Sequence, residues 1–588
     1  MTSILTFAPH SLIPEHFISE ANIWQSLRMN PSYQLTYLGC RGGLGSGCTT
    51  HICGGTIEGE KEIQQKVCNK CTSSRNAFSN LYGIKYQNID DYLSKTNAEQ
   101  IDKMLSAKDI DELLDLEISG IPVGKIATYD PCIELQSYSL ETLKVTGTSF
   151  YRATLRSCIT VFYGLEEFLK VNKVDIALIW NTMYSANRVA KEVIESYSGV
   201  VYNVHSWSNF SDQLARIEFH QGLSTEYQER KKKDFEKYTD IPITHEAINS
   251  TKKHIKSILD SRLVFTYSQK LNKTLDPSQF YSINGKSKVI LACVSSNDER
   301  FAANISGAFN KQADDSLFQS QIEWISWLVS IARANPDITL IIRPHPRDFP
   351  NRRSKNLSPF GTWMKDQFKE AYDNIIIDWP ENKVSIYSWA PVVSLVLYSW
   401  SSIAKEIALF GVPTLAYNTS LLTYTDKITY VAKDLNEYTQ VIMNCSRLEF
   451  NLDYFIAAIR WYQYEHLLTT LILPSPLANN YNPETGSRLF LTTVKNKFYR
   501  KINLLLPIYA LKLIKANCKD ISRRIYKIID GRLQEVPIEL NDIPLMGLAT
   551  KEDCLKMLRE LTDLLPVTQV TSARHETLLK SLKVYCRT

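Results

Sequence analysis

The sequence predicts an α/β protein of two doubly wound parallel-sheet domains followed by a basic, helical C-terminal extension. Three observations lead there. Short apolar, β-rich runs alternate with helix-length stretches, the βαβ rhythm of a parallel sheet. Two of those runs deliver clusters of phosphate-binding residue types at their carboxyl ends, where open α/β sheets take ligands. The basic excess of the chain is concentrated in one segment near its end.

Ser3 to Ala8 reads as a first strand and Glu15 to Arg28 has helical spacing, the strand-to-helix opening of a Rossmann-like domain. Further strands are predicted at Tyr33 to Cys40, Val174 to Trp180, Gly199 to His205 and Arg262 to Tyr267. Glu218 to Tyr238 is charged and reads as a solvated helix. A polar stretch from Gln269 to Lys288, with Pro277 and Gly285, reads as a linker. Beyond it the second α/β domain begins, and Gln321 to Ala334 is amphipathic with Ile322, Ile325, Trp327 and Leu328 as its core stripe. The expected domains are therefore 1–270, 271–484 and an extension over 485–588. At 588 residues and 44% apolar content the chain can sustain two substantial cores.

The first strand end is Asp337 to Ile342, a buried parallel strand in pattern, followed by Arg343-Pro344-His345-Pro346-Arg347. Two guanidinium forks suit a diphosphate or phosphodiester, and a histidine between prolines loses little backbone freedom when it donates to a phosphate oxygen. The second is Val392 to Tyr398, followed by Ser399-Trp400-Ser401-Ser402. Ser401 or Ser402 is expected to cap a helix over Ile403 to Phe410 whose first amides favour an anion. Gly411 and Pro413 stop that helix. Glu406 has no capping-box duty, because Lys405 holds the third position after Ser402.

The order His345-Pro346, Ser401-Ser402, Glu406, Gly411-Val412-Pro413 resembles GT-B glycosyltransferases of bacterial surface polysaccharide synthesis. That group includes capsule Kdo-transferase-like and polysialyltransferase-like enzymes and, more remotely, CDP-glycerol polymerases. Ile290 to Cys293 with Val294-Ser295-Ser296-Asn297-Asp298-Glu299 is similar to the strand and loop that open the group's nucleotide-binding domain. Val174 to Asn181 with Arg188 is similar to a region of the first domain, with Thr182 where the group carries Gly. The resemblance spans about residues 1–480 and rests on the order of short motifs.

It implies transfer of a sugar from a nucleotide-activated donor to a growing capsule or O-antigen type glycan, without a catalytic metal. The donor would lie in the second domain against Ser295, Ser296, Arg343, His345 and Arg347 on phosphate, with Ser401, Ser402 and the helix amides beside them. Glu406 would turn towards the ribose, and Asp378-Trp379-Pro380 with Ser385 could line the base. CMP-linked donors are favoured, with UDP and GDP open, and a lipid-linked glycan is the expected acceptor, bound by the first domain. Preformed cations and amides would stabilise the leaving nucleotide. For the general base the chain offers Asp298 and Glu299 first, then His16 and Glu20, with His10 nearby in sequence. A retaining reaction would instead use one carboxylate as nucleophile, and two acids at a helix start are also explained by the helix dipole. Two other readings stand beside this one: transfer of a polyol or sugar phosphate from a CDP-linked donor, and a non-catalytic nucleotide-binding scaffold.

Cys40, Cys48, Cys53, Cys68 and Cys71 fall within 32 residues, the last two as Cys-x-x-Cys, with His51 close by. Four of these could surround a structural zinc, with Cys40, Cys53, Cys68 and Cys71 the set expected here. An iron–sulfur cluster, a redox pair and unligated thiols are the alternatives. Lys495 to Lys527 carries ten Lys or Arg against Asp520 alone, a charge of +9, so the rest of a chain of net +5 sums to −4. Its apolar centre, Leu504 to Leu511, suggests a helix lying on the anionic inner membrane face, while a helix packed on the protein fits the same pattern. Nucleic acid is not expected as a partner, since no nucleic-acid motif accompanies the basic segment. With no apolar run of membrane-span length and no export signal over Met1 to Ala8, a cytoplasmic location is expected.

Overall fold

The computed structural model describes residues 1–472 and 519–564, apart from 12–13, 50–60, 83–84, 107, 206–215, 260–274, 284–287, 310–315, 352–354, 371, 539–542 and 544–546. From sequence the domain bounds fall at 270 and 484; in the structure two compact units exchange segments. One comprises Met1–Tyr227, Asn297–Asn310 and Thr469–Ile538, the other Gln228–Ser296, Lys311–Leu468 and Glu539–Thr588.

In the first unit β1 (Thr2–Phe7), β2 (Tyr33–Gly39), β3 (Tyr86–Asn88), β4 (Ile176–Trp180) and β5 (Val200–His205) pair in parallel in the order β3-β2-β1-β4-β5. This is a doubly wound arrangement whose strand order reverses between β1 and β4. Two antiparallel strands complete the edge, β6 (Arg216–Gln221) on β5 and Leu471–Ile472 on β6. The segment β6 corrects the expectation of a helix from Glu218. Ile217 and Phe219 alternate with polar neighbours at period two, and both are fully buried. The helix that follows, Ser224–Phe235, is not a solvated one, since Tyr227, Lys231 and Phe235 are fully buried at helical spacing. The strand expected at Arg262 to Tyr267 lies outside the described residues, as does most of the linker.

Both faces of this sheet are covered, and the pleat sorts its residues between them. Leu5, Phe7, Ala177 and Ile179 face a core built on Leu155, Ile159, Phe162 and Leu165 of the Thr148–Val171 helix. Ile4, Ile176, Leu178 and Trp180 face the other way, onto Ile23, Leu27, Ile525, Ile528 and Ile529. The last three belong to the Lys519–Asp530 helix, which is further tied by Tyr526 Oη donating to Ser26 O at 2.6 Å and Tyr33 Oη donating to Asp530 at 2.6 Å. In this described part of the basic segment the apolar stripe is therefore spent inside the protein, which corrects the membrane-facing expectation there. Residues 495–518 lie outside the described residues. The Lys551–Thr562 helix packs instead in the second unit beside the His245–Leu259 helix, with Lys252 Nζ 3.1 Å from Glu560. Of residues 485–588, the described ones thus divide between the two units. No helix among the described residues is long and apolar enough to cross a membrane.

In the second unit β7 (Lys288–Cys293), β8 (Ile338–Arg343), β9 (Ile375–Ile377), β10 (Leu395–Tyr398), β11 (Thr414–Ala416) and β12 (Tyr430–Val431) are all parallel, in the order β9-β8-β7-β10-β11-β12. The order reverses between β7 and β10. β8 and β10 are buried along their whole length, as their unbroken apolar runs require. The Gln321–Ala334 helix forms as expected, but its buried stripe is Gln321, Trp324, Ile325, Leu328 and Ala332. Ile322 is exposed and Trp327 half-buried, so the stripe is rotated from the one expected.

Candidate functional site

Register brings the motif loops of the second unit together. Cys293 at the end of β7 is paired on one side with Arg343, the last residue of β8, and on the other with Tyr398, the last residue of β10. Three adjacent strands, each about 4.8 Å from the next, therefore end level. Their loops, opening at Val294, Pro344 and Ser399, leave the sheet side by side at the switch point. Ile377 of β9 pairs with Ile342, so Asp378 leaves at the same edge.

The two arginines do not both face outward as expected. Arg343 is 5% exposed, with Nη1 2.8 Å from Asp378 Oδ2 and Nη2 donating to Val384 O at 3.1 Å. Asp378 is fully buried and also accepts from Trp389 Nε1 at 2.8 Å and Tyr281 Oη at 2.7 Å. Arg343 is thus committed to a buried, fully hydrogen-bonded ion pair, which replaces the phosphate role expected of it. Asp378 is its counter-ion rather than a base-lining residue. Arg347 is buried as well.

His345 keeps the expected position. It is half-buried at the start of the turn Pro346–Asp348, and its Nδ1 accepts the Arg347 N–H at 3.2 Å. An Nδ1 that accepts places the ring proton of the neutral imidazole on Nε2, which makes the ring a donor.

Ser295 is held at its backbone by Gln321, whose amide accepts from Ser295 N–H at 2.7 Å and donates to Ser295 O at 2.8 Å. Its hydroxyl, like those of Ser385 and Ser399, is buried and has no hydrogen-bond partner among the described residues. Three hydroxyls left unsatisfied among the described residues thus stand in the loops after β7, β9 and β10, though others are left so elsewhere in the chain. Ser296 is half-buried in the same loop.

After β10, Ser402 stands at the cap position without a side-chain cap bond, and Ser401 Oγ accepts from Ile403 N–H at 3.4 Å. The α-helix covers Ile403–Ile407 and passes into a turn that ends at Gly411 in the left-handed region, φ 68°. Glu406 has the local duties that the sequence hid. Tyr387 Oη donates to its Oε2, and His254 Nε2 is 3.7 Å from its Oε1. This corrects the expectation of a carboxylate left over for a ribose. Sequence reasoning missed Gln321, Tyr387 and His254 here, and within Ser399-Trp400-Ser401-Ser402 it chose Ser401 and Ser402 where the structure leaves the Ser399 hydroxyl unsatisfied among the described residues.

The remaining candidates belong to the first unit. Asp298 and Glu299 open the Asp298–Ile305 helix, which packs on the Tyr129–Glu134 helix; Asp298 is buried and Glu299 exposed. Glu20 is buried beside Tyr37, whose hydroxyl donates to it at 3.3 Å, and burial pushes its carboxyl up to about 8. At neutral pH it holds its proton and is a donor, not a base. His10, buried and 3.2 Å from Asn187 Oδ1, is pushed down to about 4 by burial and stays neutral. The side chain of His16 lies outside the described residues, as do Cys53 and His51. Cys40, Cys68 and Cys71 line one cavity together with Cys48, and among the described residues no group of three or more His, Cys, Asp or Glu is arranged to hold a metal ion.

No family model and no curated protein matches the chain. Among solved structures it is similar to the β-Kdo 2,4-transferase of Thermosulfurimonas dismutans KpsC, at 10% identity over 49% of this chain and 79% of that one, TM-score 0.29. It is similar also to the β-Kdo 2,7-transferase of that KpsC, at 12% identity over 50% of this chain and 79% of that one, TM-score 0.25. A third is the UDP-GlcNAc 2-epimerase of Neisseria meningitidis bound to UDP-GlcNAc, at 12% identity over 78% of this chain and 97% of that one, TM-score 0.24. Kdo transferases, one of the groups whose motifs the sequence resembles, are thus among the structures it matches. The strand pairings, and not these likenesses, establish the two doubly wound sheets.

Two outcomes are expected. Asp378→Ala leaves Arg343 as an unpaired buried cation and should lower the unfolding free energy by about 3–5 kcal/mol in denaturant titration. Glu20 ionises near 4.5 when unfolded and near 8 when folded, so its stabilising contribution is complete below about pH 4.5 and lost as pH rises to about 8. Glu20→Gln, which cannot ionise, should gain on the wild type by up to about 4 kcal/mol between pH 5 and pH 8, read from denaturation midpoints.

Proposed function

We propose that the second unit binds a nucleotide-activated sugar at the ends of β7, β8 and β10, and that the protein is a glycosyltransferase acting on a growing surface polysaccharide. The observation that supports this reading is the level termination of those three strands with the orphaned hydroxyls of Ser295 and Ser399 and the Nε2–H of His345 in their loops. Such a set offers donors and no carboxylate, which suits the phosphates of a nucleotide. The negative charge that develops on the leaving nucleotide would be met by these fixed donors, held in place by Gln321 and by the Arg347 amide. Ser401 and Ser402, in the same loop as Ser399, are assigned to the phosphate end, and Ser385 to the nucleoside side. CMP-linked donors are favoured through the His345-Pro346 resemblance, and the acceptor is proposed to be a lipid-linked glycan.

Calorimetric titration with CMP, CDP, UDP, GDP and dTDP tests the assignment. One nucleotide should bind, and Ser399→Ala and His345→Ala should each weaken it by about 10- to 150-fold, the worth of one hydrogen bond to a charged group. Binding that is absent for all five, or unchanged in both variants, contradicts the reading. Phosphorus in the product formed from a CDP-linked donor would identify phosphate transfer instead.

A further inference from the structure

Three segments of the first unit converge where β1 and β2 end. Cys40 directly follows β2, the turn Gly45–Gly47 delivers Cys48, and the Lys61–Tyr82 helix carries Cys68 and Cys71. The last two are three residues apart and so lie on one helix face. All four line a single cavity of about 20 Å³ whose other walls are Pro9, Val67 and the loop 42–45. That is room for a water-sized body. Among the described residues no carboxylate lines the wall, whereas four sulfurs are the donor set of a soft cation.

The second observation is a buried charge. Arg75, one helical turn beyond Cys71, is fully buried. Its guanidinium donates to Cys40 O at 2.5 Å and Pro9 O at 3.3 Å and reaches Cys71 Sγ at 3.8 Å. Among the described residues its Nε has no hydrogen-bond partner, and none of its hydrogen bonds goes to a carboxylate. The chain makes room for this group, because a Cβ on Gly39 would stand 2.4 Å from the guanidinium carbon. A guanidinium cannot shed its proton, and a buried cation without an ionised partner is among the most costly groups a protein can hold; Glu20, the carboxyl that feels its charge, is pushed up to about 8 by burial and holds its proton at pH 7. Free thiols are largely neutral at pH 7 and offer it no counter-charge. Thiolates on a metal do, since a dication with four of them carries a net charge of −2.

We propose that Cys40, Cys48, Cys68 and Cys71 form a tetrathiolate site for one thiophilic divalent cation of the zinc class, with Arg75 as its buried counter-charge. Cys48 takes the place that the sequence alone gave to Cys53. On binding, each thiol releases a proton to solvent and each sulfur donates a lone pair to the metal, with no change of oxidation state. As they stand, no three of the sulfurs are close enough together to hold an ion, so the side chains turn inward to reach a metal–sulfur distance of about 2.3 Å. The bound cation ties the end of β2 and the loop after it to the Lys61–Tyr82 helix, a structural duty separate from sugar transfer.

The test uses the full chain, purified without a polyhistidine tag or chelator and assayed by elemental analysis. About one zinc per chain is expected, and its removal by a strong chelator should lower the unfolding midpoint by about 5 °C or more. Cobalt(II) put in its place should give the thiolate charge-transfer band and the strong visible bands of a tetrahedral sulfur site. The Cys68→Ser, Cys71→Ser double variant should lose the metal at least tenfold. Should that variant fail to fold, the metal content and cobalt spectrum of the unaltered chain decide the matter. Protein without zinc that takes none up, zinc bound without the thiolate cobalt spectrum, or a coloured iron–sulfur cluster would each overturn the proposal.

Discussion

The second sheet depends on one ion pair, Arg343 with Asp378, set at the ends of neighbouring strands. Both side chains are withdrawn from solvent, and such a pair survives only when its remaining hydrogen-bonding groups are satisfied. Here Trp389, Tyr281 and the Val384 carbonyl do that, and Tyr281 stacks on Trp389 with ring centroids 5.6 Å apart. The network binds the loop after β9 to the root of the loop after β8. Pro344-His345-Pro346 then leaves a fixed base, and the Arg347 amide sets the imidazole tautomer. The arginine in the Arg-Pro-His-Pro run is an anchor, and the histidine beyond it carries the donor.

The first unit solves the corresponding problem differently. Arg75, on the Lys61–Tyr82 helix, is also buried, yet its hydrogen bonds among the described residues go to carbonyls and a sulfur, and the Glu20 carboxyl near it holds its proton at pH 7. Two guanidinium groups of equal charge therefore impose opposite requirements. Arg343 is complete within the fold, while Arg75 asks for an anion that the neighbouring thiols supply only on losing their protons. That difference makes one a stabilising element and the other a marker of a site.

Much of the architecture was legible because its determinants are local. Apolar runs such as Ile338 to Ile342 and Leu395 to Tyr398 have the length and composition of buried parallel strands, and Gly411 with Pro413 ends the helix before it. What stayed hidden depends on sheet order. The partner of Arg343 lies 35 residues away in sequence and becomes its neighbour only because β9 pairs with β8. Glu406 looked unemployed because Tyr387 and His254 reach it from other elements. The strand Arg216–Gln221 was masked by its charges, which obscured the alternation of Ile217 and Phe219. The Lys519–Asp530 helix has the pattern of an interfacial helix, and only the sheet face that it covers reveals where its isoleucines go.

The central claim is that ligands of this protein bind where β7, β8 and β10 end. Hydrogen–deuterium exchange of the full chain with and without saturating nucleotide tests it most directly, because amides that meet a bound phosphate, or loops that close on it, exchange more slowly. Protection confined to peptides spanning 294–297, 344–348 and 399–403 is the predicted result. Protection elsewhere, with these three loops unchanged, would contradict it.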